Sequence, residues 1–185
     1  MNRAAWLLLV AAAALPLRAG TAAAASVGVG VFAGNNITIV QDDNKGGSVV
    51  GARVPLVLSS FFTIEPYYAR SSGGEVTDTF GDHTYTRSGF DVKSFGANVV
   101  LGAPVGTAGF KFFPYGGIGS NKLTREGSEE ISESGYNFGL GLGAGLSTDA
   151  SLIVRGGVNM VKTGDTSRKF AEVTANLYYN LFKSK

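Results

Sequence analysis

The sequence has no cysteine, one histidine (His83) and one tryptophan (Trp6). Without cysteine there is no disulfide framework and no thiolate metal site, so backbone pairing and packing must hold the fold. No apolar run is long enough to cross a bilayer as a helix: the run Ala4 to Leu15 is closed off by Pro16 and Arg18. With Arg3 before it and Ala23-Ala24-Ala25 before Ser26, that run has the layout of a secretory signal: a positive start, an apolar middle and an A-x-A cleavage site. Cleavage, rather than retention as an anchor, is the expectation. It divides the chain into a signal peptide over 1–25 and one domain over 26–185. Net charge is then also missing, because losing Arg3 and Arg18 leaves 14 basic against 14 acidic residues. A neutral chain has no concentrated basic face, so no nucleic-acid partner is expected. Glycine is plentiful, at 27 residues, but without a collagen period and beside abundant apolar residues, which argues against disorder.

What the sequence does have is alternation. Tyr136 to Ser147 puts Tyr136, Phe138, Leu140, Leu142, Ala144 and Leu146 on one parity, and Asn137, Gly139, Gly141, Gly143, Gly145 and Ser147 on the other. Successive strand side chains point to opposite faces. One face is therefore an apolar stripe and the other almost bare. A bare face suits the cramped interior of a small barrel with its apolar face toward lipid. By itself the segment also fits a buried sandwich strand.

The remaining segments decide in favour of the barrel. Val27 to Val40 alternates, with Val27, Val29, Val31, Ala33, Ile37 and Ile39 opposite Gly28, Gly30, Phe32, Gly34, Asn36 and Thr38. Further strands are predicted over 48–58, 61–69, 92–102, 110–121, 151–162 and 169–182, with the stretch from Tyr136 as the sixth. Arg53, Glu65, Tyr67, Gly96, Asn98, Lys111, Tyr115, Arg155, Asn159 and Glu172 fall on the inner parity. Eight strands of this length suit a tilted membrane span, and an even count closes an up-and-down barrel without a free edge. The connections alternate as well. Long polar segments over 70–89 and 122–134 lie at one end, and short turns at the other, the outer-membrane pattern. A hairpin is predicted within 75–85, around Gly81-Asp82. Pro55, Pro66, Pro104 and Pro114 fall near the short turns, where a missing ladder donor is least costly. Aromatics collect at two levels: Phe61, Phe62, Phe112, Phe113, Tyr179 and Phe182 near the turns; Tyr68, Phe90, Phe95, Tyr136 and Phe170 near the loops. They read as two interfacial girdles, or as the ordinary strand preference of aromatics. The expected fold is all-β: an eight-stranded antiparallel up-and-down transmembrane β-barrel. A soluble lipocalin-like barrel is disfavoured, because its large residues would line the cavity, where the glycines fall here.

The signal peptide, the eight strands, Glu65-Pro66-Tyr67-Tyr68, Pro114-Tyr115-Gly116-Gly117-Ile118-Gly119 and the aromatic last strand together resemble the small outer-membrane β-barrel proteins of Gram-negative bacteria, the OmpA/OmpX-like group. The resemblance covers the whole of the chain after the signal. It implies export through the periplasm to the outer membrane, contact with outer-membrane lipid and lipopolysaccharide, a monomer, and external loops that can bind host or cell-surface ligands. That group usually ends on an aromatic residue, whereas Phe182 here is followed by Lys183-Ser184-Lys185.

Arg53, Glu65, Lys111, Arg155 and Glu172 are the charged candidates for the lumen. Arg53 and Glu65 stand nearly equidistant from Ser59-Ser60 and can meet across that hairpin. Such charges must pair or stay wet. They read as a plug of ion pairs, or as the gate of a small pore with Arg53/Glu65 and Arg155/Glu172 as its pairs. Small members of the resembling group imply the second. Asp78, Asp82, His83, Arg125, Glu126, Glu129, Glu130 and Glu133 are the loop residues placed to recognise a partner. The glutamates could gather divalent cations, but they lack calcium-loop spacing and read as a solvated face with Lys122 and Arg125 as partners. Barrel lipid A deacylases use His-x-Ser, whereas His83 is followed by Thr84-Tyr85, so a lipid-modifying enzyme is the weakest alternative. No catalytic centre, cofactor or metal is expected. The Gly-x-Gly runs lie inside strands at period two and do not open a helix, so they are not phosphate loops.

Overall fold

Alternation of apolar and small residues becomes strand throughout. The computed structural model describes residues 26–39, 45–106, 108–125, 127, 129–163 and 166–183, so the proposed signal over 1–25 and the turn at Gly164-Asp165 lie outside the described residues. The strands are β1 (Ser26–Ile39), β2 (Gly47–Arg53), β3 (Leu56–Val57), β4 (Thr63–Ser71), β5 (Val76–Phe80), β6 (His83–Arg87), β7 (Asp91–Val100), β8 (Gly109–Thr124), β9 (Ile131–Gly145), β10 (Ala150–Thr163) and β11 (Thr166–Lys183). No helix among the described residues is long and apolar enough to cross a membrane; a barrel crosses with strands.

Neighbours along the chain pair antiparallel, and β1 pairs with β11 from Ser26↔Lys183 to Ile39↔Lys169, which closes the sheet. β2 and β3 together form one wall strand between β1 and β4, so the barrel has eight strands and up-and-down order. The predicted second strand is thus divided at Val54-Pro55. Proline has no N–H for the ladder, yet pairing continues around it: the Gly28 N–H donates to the Pro55 carbonyl at 2.9 Å, and the Val54 N–H to the Pro66 carbonyl at 2.9 Å. β5 and β6 form the separate hairpin around Gly81-Asp82, with Phe80 opposite His83.

Two expectations are corrected. The segment 122–134 is mostly strand: β8 continues to Thr124 and β9 begins at Ile131, with Leu123↔Ile131, Lys122↔Ser132 and Asn121↔Glu133 in register. Polar side chains did not stop the ladder, because backbone groups supply its bonds and polar residues are at home on strands outside lipid. The girdles also lose members. Phe113, Phe90 and Phe170 turn inward and are buried, while Phe61, Phe112, Tyr179 and Phe182 at one level, and Tyr68, Phe95 and Tyr136 at the other, face outward.

The outer wall between those levels is apolar, with Val31, Val50, Val99, Leu140, Leu142, Leu152, Val154, Val173 and Leu177 exposed. The lumen is filled by side chains. Val57, Val100, Val105, Phe113, Ile153 and Tyr178 pack at the short-turn end; Phe90, Val92, Leu123, Val161 and Phe170 pack at the loop end. Glycine makes room for the large residues. A Cβ on Gly141 would lie 2.3 Å from the Phe113 ring, one on Gly30 2.6 Å from Tyr178, and one on Gly51 2.4 Å from Phe32.

Overpacking of a filled interior costs about 1–3 kcal/mol. Gly141→Ala is expected to lower the unfolding free energy of the refolded barrel in urea by that order, and Phe113→Leu placed beside it to restore part of the loss. Tryptophan is absent from 26–185, so unfolding is followed by the heat-dependent shift in gel mobility.

Candidate functional site

Closing the sheet brings inner-parity residues from distant strands into one layer at mid-lumen. Glu65 on β4 is fully buried and is its centre. Arg155 on β10, 90 residues away, donates to it in bidentate fashion, Nη1 to Oε1 at 2.8 Å and Nη2 to Oε2 at 2.7 Å. Tyr178 Oη donates to Oε2 at 3.0 Å, and Asn98 Nδ2 reaches Oε1 at 3.4 Å. Arg53 stands farther off, 3.7 Å from Glu65 and 3.8 Å from Glu172. Glu172 also accepts from Asn159 Nδ2 at 2.9 Å.

The aromatic residues that glycine admits complete the setting. Arg155 lies 4.8 Å from the Tyr115 ring centroid, 5.1 Å from Phe113 and 5.5 Å from Tyr178; Arg53 lies 4.1 Å from Phe32. A guanidinium against an aromatic face is favoured by the ring quadrupole, the more so when desolvated. Arg53, Arg155, Glu65 and Glu172 sum to no net charge, as a low-dielectric layer requires. Above them, toward the loops, is a cavity of about 50 Å³ lined in part by Arg53, Tyr67, Asn98, Tyr115, Asn137 and Glu172. It has room for a few water molecules.

The lumen candidates are therefore mostly brought together, and Arg53 meets Glu65 as expected, but the other pairing differs. Arg155 bonds Glu65, and Glu172 faces Arg53, so the expected Arg155/Glu172 pair is corrected. Register is the reason: β10 and β11 place Gly157, not Arg155, opposite Glu172. Lys111 stands apart at the short-turn end, where Nζ donates to the Ala103 carbonyl at 3.1 Å. Sequence reasoning did not single out Tyr178 or Asn98 as partners of Glu65. Their inner parity was the one available signal.

The loop candidates are dispersed. Asp78 lies opposite Tyr85 in the β5–β6 hairpin, Asp82 in its turn, and His83 opposite Phe80, with its ring 6.4 Å from that of Tyr85. Arg125 Nε donates to the Ser88 carbonyl at 2.9 Å, and its guanidinium stacks 4.1 Å from Phe90, as Arg168 does at 4.2 Å. Glu130 pairs with Lys122, which holds its carboxyl below the ordinary range. Glu129 is exposed in the connection, Glu133 is part of β9, and Glu126 lies outside the described residues. No group of three or more potential metal ligands occurs among the described residues.

A closed eight-stranded antiparallel barrel, apolar outside and filled within, defines a small integral barrel of the outer-membrane class. Two of the solved structures that share the fold illustrate it. Neisserial surface protein A superposes with a TM-score of 0.66 at 13% identity, over 85% of this chain and 99% of that one. The N-terminal β-barrel domain of Pseudomonas aeruginosa OprF gives 0.51 at 11% identity, over 84% and 99%. Neither a protein-family model nor a curated protein sequence matches the chain. At these identities the likeness is one of fold: that of the small outer-membrane barrels resembled by the sequence.

Removing one partner of a buried ion pair costs about 3–5 kcal/mol, because the other charge stays buried. Glu65→Gln strands Arg155 in this way and is expected to lower the stability of the refolded barrel by that order in urea titration. Glu65→Leu combined with Arg155→Met is expected to lose less than Glu65→Gln alone.

Proposed function

We propose that this chain is a non-enzymatic outer-membrane barrel with a sealed lumen, acting through the extracellular surface that its loops and the β5–β6 hairpin present. One observation carries the reading. Buried side chains occupy the bore at the turn end, in the Glu65–Arg155 layer and around Phe90 at the loop end, which supports a sealed lumen. What remains for contact is the outer surface, where Phe80 and Tyr85 stand exposed on the hairpin beside His83. A rigid barrel carrying projecting loops is the usual arrangement for recognition. The reading extends to a monomer exported through the periplasm, with host or cell-surface ligands as its partners.

A gated pore is the second reading, and one feature favours it. Arg53 lies at nearly equal distances from Glu65 and Glu172, beneath the loop-side cavity, so a pairing exchange there needs little movement.

In planar bilayers the refolded chain is expected to insert, as judged by heat-dependent gel mobility, and to stay silent. Discrete openings that change on Glu65→Gln would replace the sealed scaffold with the pore. On intact cells, trypsin is expected to cut within 70–89 and leave the barrel whole. Full protection of that segment would overturn the loop placement.

A further inference from the structure

The lipid-facing wall carries a row of like charges. Arg70 on β4 pairs directly with Lys93 on β7, and Lys93 pairs directly with Lys122 on β8. All three point outward. Ala69 beside Arg70, Val92 beside Lys93, and Asn121 and Leu123 beside Lys122 are buried. Cross-strand partners have Cβ atoms only about 4.5–5.5 Å apart, and like charges placed opposite one another are unfavourable. A row of three needs a compensating anion.

The protein supplies part of it. Asp91 lies 3.5 Å from Arg70, and Glu130 pairs with Lys122. Both carboxylates come from the loop side, Asp91 at the first position of β7 and Glu130 in the connection between β8 and β9. Among the described residues, the carboxylates that pair with the row both approach it from the loop side. Directly beneath, two residue pairs nearer the membrane and next on the same face, Tyr68 pairs with Phe95, both exposed. Below them the wall is apolar, with Ala97, Ile64 and Val99 in register. Read upward from the membrane, the face runs aliphatic, aromatic, cationic, acidic. Aromatic rings mark the interface between hydrocarbon and headgroups. The cations therefore sit at headgroup height on the loop end of the barrel.

We propose that Arg70, Lys93 and Lys122 form a binding site for the phosphate of an outer-leaflet glycolipid whose acyl chains lie along the apolar wall below Tyr68 and Phe95. The geometry suits a lipid-borne phosphate better than a free one. The row is an open surface with no enclosing walls, so affinity has to come from chains and charge together. Guanidinium offers phosphate a bidentate fork, and each ammonium a point charge. The site rests on membrane placement of the barrel and holds whether the lumen is sealed or conducts.

The test uses the chain refolded in zwitterionic micelles, with native mass spectrometry reading retained lipid. Diphosphoryl lipid A is expected to be retained roughly tenfold or more over its dephosphorylated form. Combining Arg70→Gln, Lys93→Gln and Lys122→Gln is expected to abolish that preference, whereas Lys183→Gln, at the opposite end, keeps it. Inorganic phosphate is not expected to compete at equal concentration. Gel mobility confirms that each variant is folded. A second readout separates binding from folding. In lipid-free micelles Lys93→Gln should match or exceed the wild type in urea, because a like charge is gone; with diphosphoryl lipid A present it should fall below. Equal retention of the two lipids, or an unchanged preference in the triple variant, would overturn the site. Full competition by inorganic phosphate would overturn its lipid source. Conductance is measured separately, so failure here leaves the sealed-lumen reading to its own test.

Discussion

In hydrocarbon every backbone N–H and C=O must find a partner within the protein, and in this chain the constraint is met by one pairing, β1 with β11. That closure joins the first described residues to the last and removes both edges of the sheet. It also gives the wall an inside and an outside, so the period-two pattern of each strand becomes a division between lipid and lumen. An outward row of Val, Leu and aromatic residues is then required, and an inward row must fit a narrow bore.

The bore explains the glycines. Eight strands leave room for side chains and little else. Large inward residues such as Phe113, Tyr178 and Phe32 are accommodated because Gly141, Gly30 and Gly51 face them from neighbouring strands. Aromatic mass and empty Cα positions alternate around the wall. The interior is close-packed at its ends, and its polar middle is shielded from both. There the arginines gain both carboxylates and ring faces, and burial makes each partner dependent on the others.

The polar ends of β8 and β9 extend the wall beyond the membrane, and the β5–β6 hairpin stands clear of it. Between these projections and the apolar belt, the strand register lines up Arg70, Lys93 and Lys122. The extracellular surface and the interface row are both consequences of pairing that no single strand specifies.

Strand number, inner and outer faces, and the end carrying the loops were all legible in the sequence. Each depends on local periodicity, on turn residues such as Gly81-Asp82, or on the lengths between them, and lipid leaves an alternating segment few other conformations. The inward position of Arg53, Glu65, Arg155 and Glu172 was legible for the same reason. The meeting of Arg53 with Glu65 across one hairpin was legible too; the partners of Arg155 and Glu172 were not. Glu65 and Arg155 are 90 residues apart and face each other across the bore, so their contact depends on strand stagger and on rotamers that aromatic neighbours allow. The inward turn of Phe90, in the segment between β6 and β7, and the continuation of β8 and β9 through a polar sequence were likewise settled by packing and by backbone pairing with adjacent strands. Periodicity acts along one strand and reports a face; partnership across a closed wall acts between strands, and only the assembled barrel brings those distances into being.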